Sequence, residues 1–162
     1  MSSRKFYVLC FMLYDCVMQT VIAESKEATQ AWGKQFAATL RPATLVALSG
    51  ELGAGKTTLV QGVLEGLGAV APYPSPTFVL MNQYELLQAT ATGIRRVYHA
   101  DAYRVGADDF ERLGFREWCA DPEGLVLLEW PERIVELLPG KYTEVNIESV
   151  SESKRRIAIS EK

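Results

Sequence analysis

Histidine and cysteine are scarce in this chain of 162 residues. The only histidine is His99, which rules out a metal centre built from several histidines. The three cysteines, Cys10, Cys16 and Cys119, are odd in number and have no C-x-x-C spacing, so neither a disulfide framework nor a zinc site is indicated. Cysteine usage of this kind suits a reducing compartment.

The chain also lacks an excess of positive charge. Its net charge of −3 and its isoelectric point near 5.3 argue against a protein that holds nucleic acid by bulk electrostatics. Any contact with RNA would therefore be local or made through a partner. The sequence has no internal repeat and no segment of low complexity, and its length predicts one domain with a substantial core.

A phosphate-loop signature, GELGAGKTT, occupies residues 50–58. It matches G-x-x-x-x-G-K-[ST], with Gly50, Gly55, Lys56 and Thr57 at the fixed places. In such a loop the glycines let successive backbone N–H groups surround a phosphate, and the following helix adds its positive end. Lys56 would reach the β- and γ-phosphates, and the Thr57 hydroxyl would hold a Mg²⁺ that bridges them.

The surroundings of this motif make it more specific. A continuous apolar run at residues 44–48 predicts a buried strand before the loop, and apolar residues at helical spacing predict a helix over 57–67 after it. Gly68 follows where a helix would end. The loop therefore lies between a strand and a helix, as phosphate binding requires.

The rest of the chain alternates between the two kinds of element. Besides those flanking the loop, the patterns predict strands at 19–23, 77–85, 94–99, 125–128, 142–147 and 156–159, and helices at 26–40 (with Ser25 as its N-cap), 108–113, 115–119 and 131–138. Pro72, Pro74 and Pro76 predict an exposed, stiff connection. The fold class is α/β: a P-loop NTPase-like three-layer sandwich with a mainly parallel central sheet and antiparallel strands at the side.

Residues 1–17 form an N-terminal extension to the single ATPase domain predicted over 18–162. Arg4 and Lys5 precede an apolar run that Asp15 interrupts and that is too short to span a membrane. Three interpretations stand: a secretion signal, an extra edge strand or helix, or a start codon placed upstream of a true beginning at Met18. Because an ATP-dependent site belongs where ATP is, the secretion signal is the least favoured and a cytoplasmic location is expected.

Two carboxylates are candidates for chemistry beyond the loop. Glu129 ends the buried strand at 125–128, where open α/β sheets bind their ligands, and would act on Mg²⁺ or orient a water molecule. Asp101 follows another strand, and would be a general base, an indirect metal ligand or a structural ion-pair partner. Ser75 and Thr77 lie after the proline-rich loop, on a segment that suits a switch closing over the γ-phosphate or a plain turn.

Four segments together resemble the bacterial TsaE family, formerly called YjeE, the ATPases required for making threonylcarbamoyladenosine in tRNA. They are the loop at 50–58, SPTF at 75–78, HADAYR at 99–104 and EWPER at 129–133. Their order and spacing agree with the family, and the resemblance covers roughly residue 18 to the end of the chain. The loop alone is shared by a very large superfamily, whereas the other three segments make the resemblance specific.

The resemblance implies a role for each matched residue. Thr57 and Glu129 would hold Mg²⁺, Asp101 would be needed for ATP turnover, and Trp130 would lie beside the metal carboxylate. Nucleotide binding is implied for Gly50, Gly53, Ala54, Gly55, Lys56, Thr57 and Thr58, with Lys26 as a weaker assignment at the start of the first helix. Ser75 and Thr77 would belong to the switch.

The resemblance also implies ATP and Mg²⁺ as cofactors and a protein complex as the target. TsaE-like proteins act on the transferase TsaD and its paralogue TsaB, and reach tRNA only through that complex. Hydrolysis would be slow for the subunit alone, and no membrane partner is expected. Two other classes remain open: a small-molecule kinase, for which Arg112 and Arg116 are ambiguous lid residues, and a nucleotide-gated binding module without useful turnover.

Overall fold

The computed structural model describes residues 6–13 and 16–162, with side chains described from Gln19 onward. The strands are β1 (Phe6–Leu13), β2 (Cys16–Ala23), β3 (Thr44–Ser49), β4 (Met81–Glu85), β5 (Arg96–Asp101), β6 (Gly124–Glu129), β7 (Thr143–Ser149) and β8 (Arg155–Glu161). The helices are α1 (Lys26–Phe36), α2 (Lys56–Leu67), α3 (Ala107–Arg112) and α4 (Phe115–Ala120), and short 3₁₀ turns lie at Ala37–Thr39, Pro131–Arg133 and Val135–Leu137.

All eight strands form one sheet in the order β1-β2-β8-β7-β3-β6-β5-β4. The four central strands β7, β3, β6 and β5 are parallel, whereas β4, β8, β2 and β1 join in antiparallel pairs at the two sides. The predicted α/β class, with a parallel centre and antiparallel flanks, is confirmed. Parallel order places the carboxyl ends of β3, β6 and β5 at the same edge of the sheet.

Helices cover both faces of the sheet. On one face α1, α2 and the 3₁₀ turn at Ala37–Thr39 pack over Val46, Leu127 and Ile157. On the other face α3, α4 and the two later 3₁₀ turns pack over Leu45, Val126 and their neighbours. Alternation along each strand sends successive side chains to opposite layers, which produces this division. No helix in the described part of the chain is both long and apolar enough to cross a membrane.

The N-terminal part of the described chain lies at one edge of the sheet. Strand β1 pairs antiparallel with β2 along its whole length, from Phe6 opposite Ala23 to Leu13 opposite Cys16. This is the position that the edge-strand interpretation of the extension expects. Arg4, Lys5 and Asp15, on which the secretion-signal interpretation rests, lie outside the described residues.

Helix α1 begins as the sequence predicts and ends earlier. The Ser25 side chain accepts a hydrogen bond of 3.1 Å from the backbone N–H of Ala28, as an N-cap does. The predicted helix over 26–40 is α-helical only to Phe36, and the 3₁₀ turn at Ala37–Thr39 completes it. Ala28, Trp32, Phe36 and Leu40 are all buried, so the predicted buried face is right.

Two other predicted elements are wrong in part. Strand β4 starts at Met81 rather than at Thr77, because residues 77–80 form a turn in which Leu80 has left-handed backbone geometry. The predicted helix over 131–138 is instead two 3₁₀ turns, since the non-helical backbone of Ile134, with a φ of −139°, interrupts it. In the proline-rich connection, Pro72 and Pro74 are exposed as predicted, but Pro76 is buried.

Helices α1 and α2 cross at a point where glycine is needed for close approach. A Cβ atom at Gly62 on α2 would overlap the backbone carbonyl oxygen of Gln30 on α1. Backbone atoms cannot move aside as the end of a side chain can. The close contact of α1 and α2 therefore depends on a glycine at this position.

Gly62→Ala should lower the free energy of unfolding by about 1–3 kcal/mol, the usual cost of overpacking, despite the better helix propensity of alanine. Chemical denaturation of the variant and the parent chain measures the difference. Gly140→Ala is the matched control, because a Cβ atom there meets nothing within 4 Å. Unchanged or increased stability of Gly62→Ala would contradict this account of the helix crossing.

Candidate nucleotide site

Three polar side chains reach the same face of the sheet near its carboxyl edge. Leu127 on β6 and Val97 on β5 pack in the layer of α1 and α2, so alternation turns Glu129, His99 and Asp101 toward that layer as well. Asp101 and Glu129 are register partners in adjacent parallel strands. Both carboxylates are only 3% exposed, and His99 is 0% exposed.

The loop between β3 and α2 has the backbone geometry that its glycines permit. Gly50 and Gly55 have φ values of +139° and +108°, a region that L side chains rarely adopt. Gly50 also lies so close to the carbonyl oxygen of Ile147 that a Cβ atom would overlap it. Inside the loop, the Lys56 ammonium donates hydrogen bonds to the carbonyl oxygens of Gly50 (2.6 Å) and Glu51 (2.9 Å).

Lys56 is a buried cation in acidic surroundings. It is 4% exposed, and burial lowers its pKa, against the opposing attraction of Glu129, Glu132 and Asp101. The Trp130 ring lies 3.7 Å from its Nζ atom, a cation–π contact. Trp130 reaches this place because its backbone is left-handed, with a φ of +62°, directly after β6 ends.

Glu129 joins the loop to the sheet. The Thr57 hydroxyl donates to its carboxylate, at 2.9 Å from Oε1 and 3.0 Å from Oε2. On the other side, His99 Nε2 lies 2.9 Å from Glu129 Oε1. The two residues predicted to hold Mg²⁺, Thr57 and Glu129, are therefore in direct contact, and both are oxygen donors of the kind that Mg²⁺ prefers.

Asp101 is held on both of its oxygens. The Thr77 hydroxyl donates to Oδ2 at 2.6 Å, and the backbone N–H of Tyr103 donates to Oδ1 at 2.8 Å. Because Thr77 gives its hydrogen to Asp101, the Ser75 hydroxyl donates to Thr77 across 2.8 Å. Of the two predicted switch residues, Thr77 is thus bonded directly to the predicted catalytic carboxylate, and Ser75 is bonded to it through Thr77.

These groups line a cleft of about 490 Å³ at the carboxyl edge of the sheet. Its walls include Gly53, Gly55, Lys56, Thr57, Thr58, Thr77, Asp101, Glu129 and Trp130, together with Leu52, Tyr103 and Arg104. Of the other predicted residues, Ala54 is buried in the core, Gly50 contacts Lys56 from within the loop, and Ser75 lies outside the cleft beside Thr77. Arg112 and Arg116 do not line it.

A second cleft, of about 440 Å³, opens on the other side of the loop. Lys26 lies on its wall with Gly53, Gly55 and Thr58 of the loop. Arg155 lines it too, and the Arg155 guanidinium donates to the carbonyl oxygen of Ala54 at 2.8 Å. Sequence reasoning missed Arg155, because an arginine on an antiparallel strand reads as an ordinary polar residue of the alternating pattern.

The parallel sheet, the glycine loop at the head of α2 and the acids at neighbouring strand ends define a P-loop-type α/β domain, a fold that implies nucleotide binding. A family model described as "Threonylcarbamoyl adenosine biosynthesis protein TsaE" matches residues 23–157. The chain belongs to the TsaE family, which is involved in the biosynthesis of threonylcarbamoyladenosine in tRNA. The resemblance found in the four sequence segments is confirmed.

Individual relatives agree with the family match. Three proteins named "tRNA threonylcarbamoyladenosine biosynthesis protein TsaE" are similar to the chain. The one from Synechocystis sp. is 41% identical and covers 68% of each chain; that from Bacillus subtilis is 36% identical over 83% of this chain and 80% of the relative. The one from Treponema pallidum is 31% identical over 86% of this chain and 98% of the relative.

A solved structure is similar over most of its length. The crystal structure of YdiB from Bacillus subtilis superposes with a TM-score of 0.73 at 28% sequence identity, and the match covers 91% of this chain and 88% of that one. The likeness therefore extends well beyond the loop and α2.

Proposed function

We propose that the protein is a Mg²⁺-dependent ATPase that serves threonylcarbamoyladenosine modification of tRNA by acting on a complex of TsaB-like and TsaD-like proteins. The observation that carries this proposal is the convergence of Lys56, the Thr57–Glu129 pair and Asp101 in one cleft beside the glycine loop. These are the groups that phosphoryl transfer from ATP needs. A cytoplasmic location is part of the proposal, since ATP and tRNA are found there.

In this proposal the loop and Lys56 bind the phosphates. Backbone N–H groups of the loop would surround the anion, and the Lys56 ammonium would exchange its two loop carbonyls for phosphate oxygens. The second cleft, with Lys26 and Arg155 on its walls, would take the nucleoside. Arg155 supports the loop from outside by its bond to Ala54.

The charges of the cleft fit a divalent cation. Two buried carboxylates, Asp101 and Glu129, face one lysine whose ammonium is already bonded to the loop. Mg²⁺ is usually held by one or two protein oxygens together with phosphate oxygens and water. Thr57 and Glu129 would provide those protein ligands, and the bound Mg²⁺ would supply neutralisation of the phosphate charge.

Asp101 is the proposed catalytic residue. A carboxylate at the cleft wall can accept the proton of an attacking water molecule once one of its oxygens becomes available. The Thr77 hydroxyl occupies Oδ2 in this structure, so movement of the 75–78 segment would release it. The same segment therefore links the state of the phosphate site to the readiness of the base.

Partner proteins should raise the rate. ATP turnover by the chain alone is expected to be slow, and addition of TsaB-like and TsaD-like proteins should raise kcat severalfold. A coupled assay of phosphate release, with and without the partners, measures this increase in kcat. The matched control is Glu129→Gln with the same partners, which should stay at the background rate.

Absence of stimulation would contradict the proposed target. Transfer of the γ-phosphate to a small molecule, with no dependence on the partners, would instead support the kinase alternative. Nucleotide-dependent partner binding without phosphate release would support the binding module.

A further inference from the structure

The only histidine of the chain lies behind the proposed magnesium carboxylate. We propose that His99 is a positioning residue that fixes the Glu129 carboxylate in the orientation needed for metal binding. This inference rests on the proposed function, in which Thr57 and Glu129 hold Mg²⁺. It adds a residue whose own atoms touch neither nucleotide nor metal.

The placement of His99 follows from the register of the two strands. His99 on β5 lies opposite Leu127 on β6, two residues before the Asp101–Glu129 pair on each strand. Its side chain points to the same face as Glu129, so Nε2 reaches diagonally across the two strands to Oε1 at 2.9 Å. Both side chains are almost completely buried, and a hydrogen bond in such surroundings holds its geometry more firmly than one in water.

The imidazole is committed to this single contact. Among the side chains that the structure describes, His99 Nδ1 has no hydrogen-bond partner although it is buried. A carboxylate accepts, so the hydrogen of the contact is on Nε2. If this position served only the packing of the core, an apolar side chain would stabilise the fold more than a histidine with an unpaired buried nitrogen.

His99 acts only through Glu129. It is not on the wall of the cleft, whereas Glu129 is. Glu129 Oε1 lies between two donors, Nε2 of His99 and the Thr57 hydroxyl. Without His99 the carboxylate would be held from the Thr57 side alone and could turn about its terminal torsion, and the Thr57 hydroxyl would lose a fixed acceptor. Partners of this kind behind a metal ligand are known to set its orientation.

Magnetic resonance tests the contact without nucleotide or turnover. The chain, with any affinity tag removed and its histidine labelled with ¹⁵N, has one imidazole, so its signals need no assignment. The expected spectrum shows a proton on Nε2 that exchanges slowly with water and shifts in Glu129→Gln. A spectrum with Nε2 unprotonated would overturn the proposal.

Three variants then test the consequence. His99→Leu removes the donor, His99→Gln keeps an N–H near the position of Nε2, and Val97→Ala creates a cavity two residues earlier on the same face without touching Glu129. We expect His99→Leu to raise the Mg²⁺ concentration for half-maximal ATPase activity by roughly 10-fold or more, as is typical when a partner of a metal ligand is lost. ATP affinity measured in EDTA should stay at the parent value.

His99→Gln should recover most of the Mg²⁺ dependence, and Val97→Ala should leave it unchanged even though it lowers the melting temperature. If His99→Leu and His99→Gln both behave like Val97→Ala, the role of His99 is structural and the proposal is wrong. If the parent chain shows no ATPase activity, the proposed function fails, while the resonance experiment still decides whether His99 holds Glu129. If His99→Leu does not fold, the His99→Gln variant and the spectrum of the parent chain decide.

Discussion

Lys56→Ala should lower the affinity for Mg–ATP by at least about 30-fold, because loss of one partner of a buried charge pair usually costs about 2–5 kcal/mol. Lys56 is the cation of the loop, 4% exposed, and its ammonium already lies among backbone carbonyls and acidic side chains. Alanine would remove the ammonium of the loop and leave two buried carboxylates, Asp101 and Glu129, near the phosphates. Titration calorimetry with a non-hydrolysable ATP analogue measures the change.

Lys34→Ala is the matched control for removing one positive charge. Lys34 lies on α1 and pairs with Glu65 at the exposed surface, where both side chains are about half accessible. Such a pair contributes little to stability, and the substitution should not change nucleotide affinity. Thermal denaturation of both variants separates loss of binding from loss of folding. A folded Lys56→Ala that binds the analogue as the parent does would refute the loop as the phosphate site.

The fold could be predicted from local patterns to a large extent. Continuous apolar runs mark β3 and β6 because strands of a parallel centre are buried on both faces. The loop motif fixes the start of α2, and Gly114, with a φ of +90°, separates α3 from α4 where the sequence predicted a break. These features depend on residues that are adjacent in the chain, and such features are the ones that a sequence shows most clearly.

The parts that failed depend on single backbone geometries. Trp130 and Leu80 have positive φ values although neither is glycine. Trp130 turns the chain out of β6, and the following residues then form 3₁₀ turns in place of the predicted helix at 131–138. The spacing of apolar residues does not indicate a positive φ at such a residue, because contacts with other elements determine that backbone geometry. For Trp130, one of those contacts is with Lys56.

Within the site, the residue types could be predicted and their partners could not. The sequence placed Asp101 and Glu129 at strand ends, but whether they are neighbours depends on the order of strands in the sheet. It used His99 as evidence against a multi-histidine centre and as part of the HADAYR segment, and it predicted no contact of His99 with Glu129. The bonds of His99 to Glu129 and of Thr77 to Asp101 join positions that are 30 and 24 residues apart. Arg155, still further from the loop, has no local signature.

Asp101→Asn should reduce kcat by about 100-fold or more, the contribution expected of a general base, while nucleotide affinity stays close to that of the parent. The amide keeps the hydrogen bonds of this site. Its oxygen can accept from the N–H of Tyr103, and its NH₂ group can donate to Thr77, whose hydroxyl would then turn toward Ser75. The substitution therefore removes basicity and one negative charge with little loss of structure. Single-turnover measurements, together with calorimetry, separate the chemical step from binding.

Asp108→Asn is the matched control, because Asp108 is an exposed acid in the first turn of α3 and does not line the cleft. It should leave both kcat and affinity unchanged. If Asp101→Asn instead loses nucleotide affinity and keeps a normal rate at saturation, Asp101 serves to hold the metal or the phosphates, and the base must be sought elsewhere.

The Thr77→Val variant leaves Oδ2 of Asp101 without its donor. If Asp101→Asn loses kcat and Thr77→Val raises the basal rate, the bond from Thr77 restrains the base in the resting state. In that case movement of the 75–78 segment, rather than nucleotide binding itself, would set the rate of turnover.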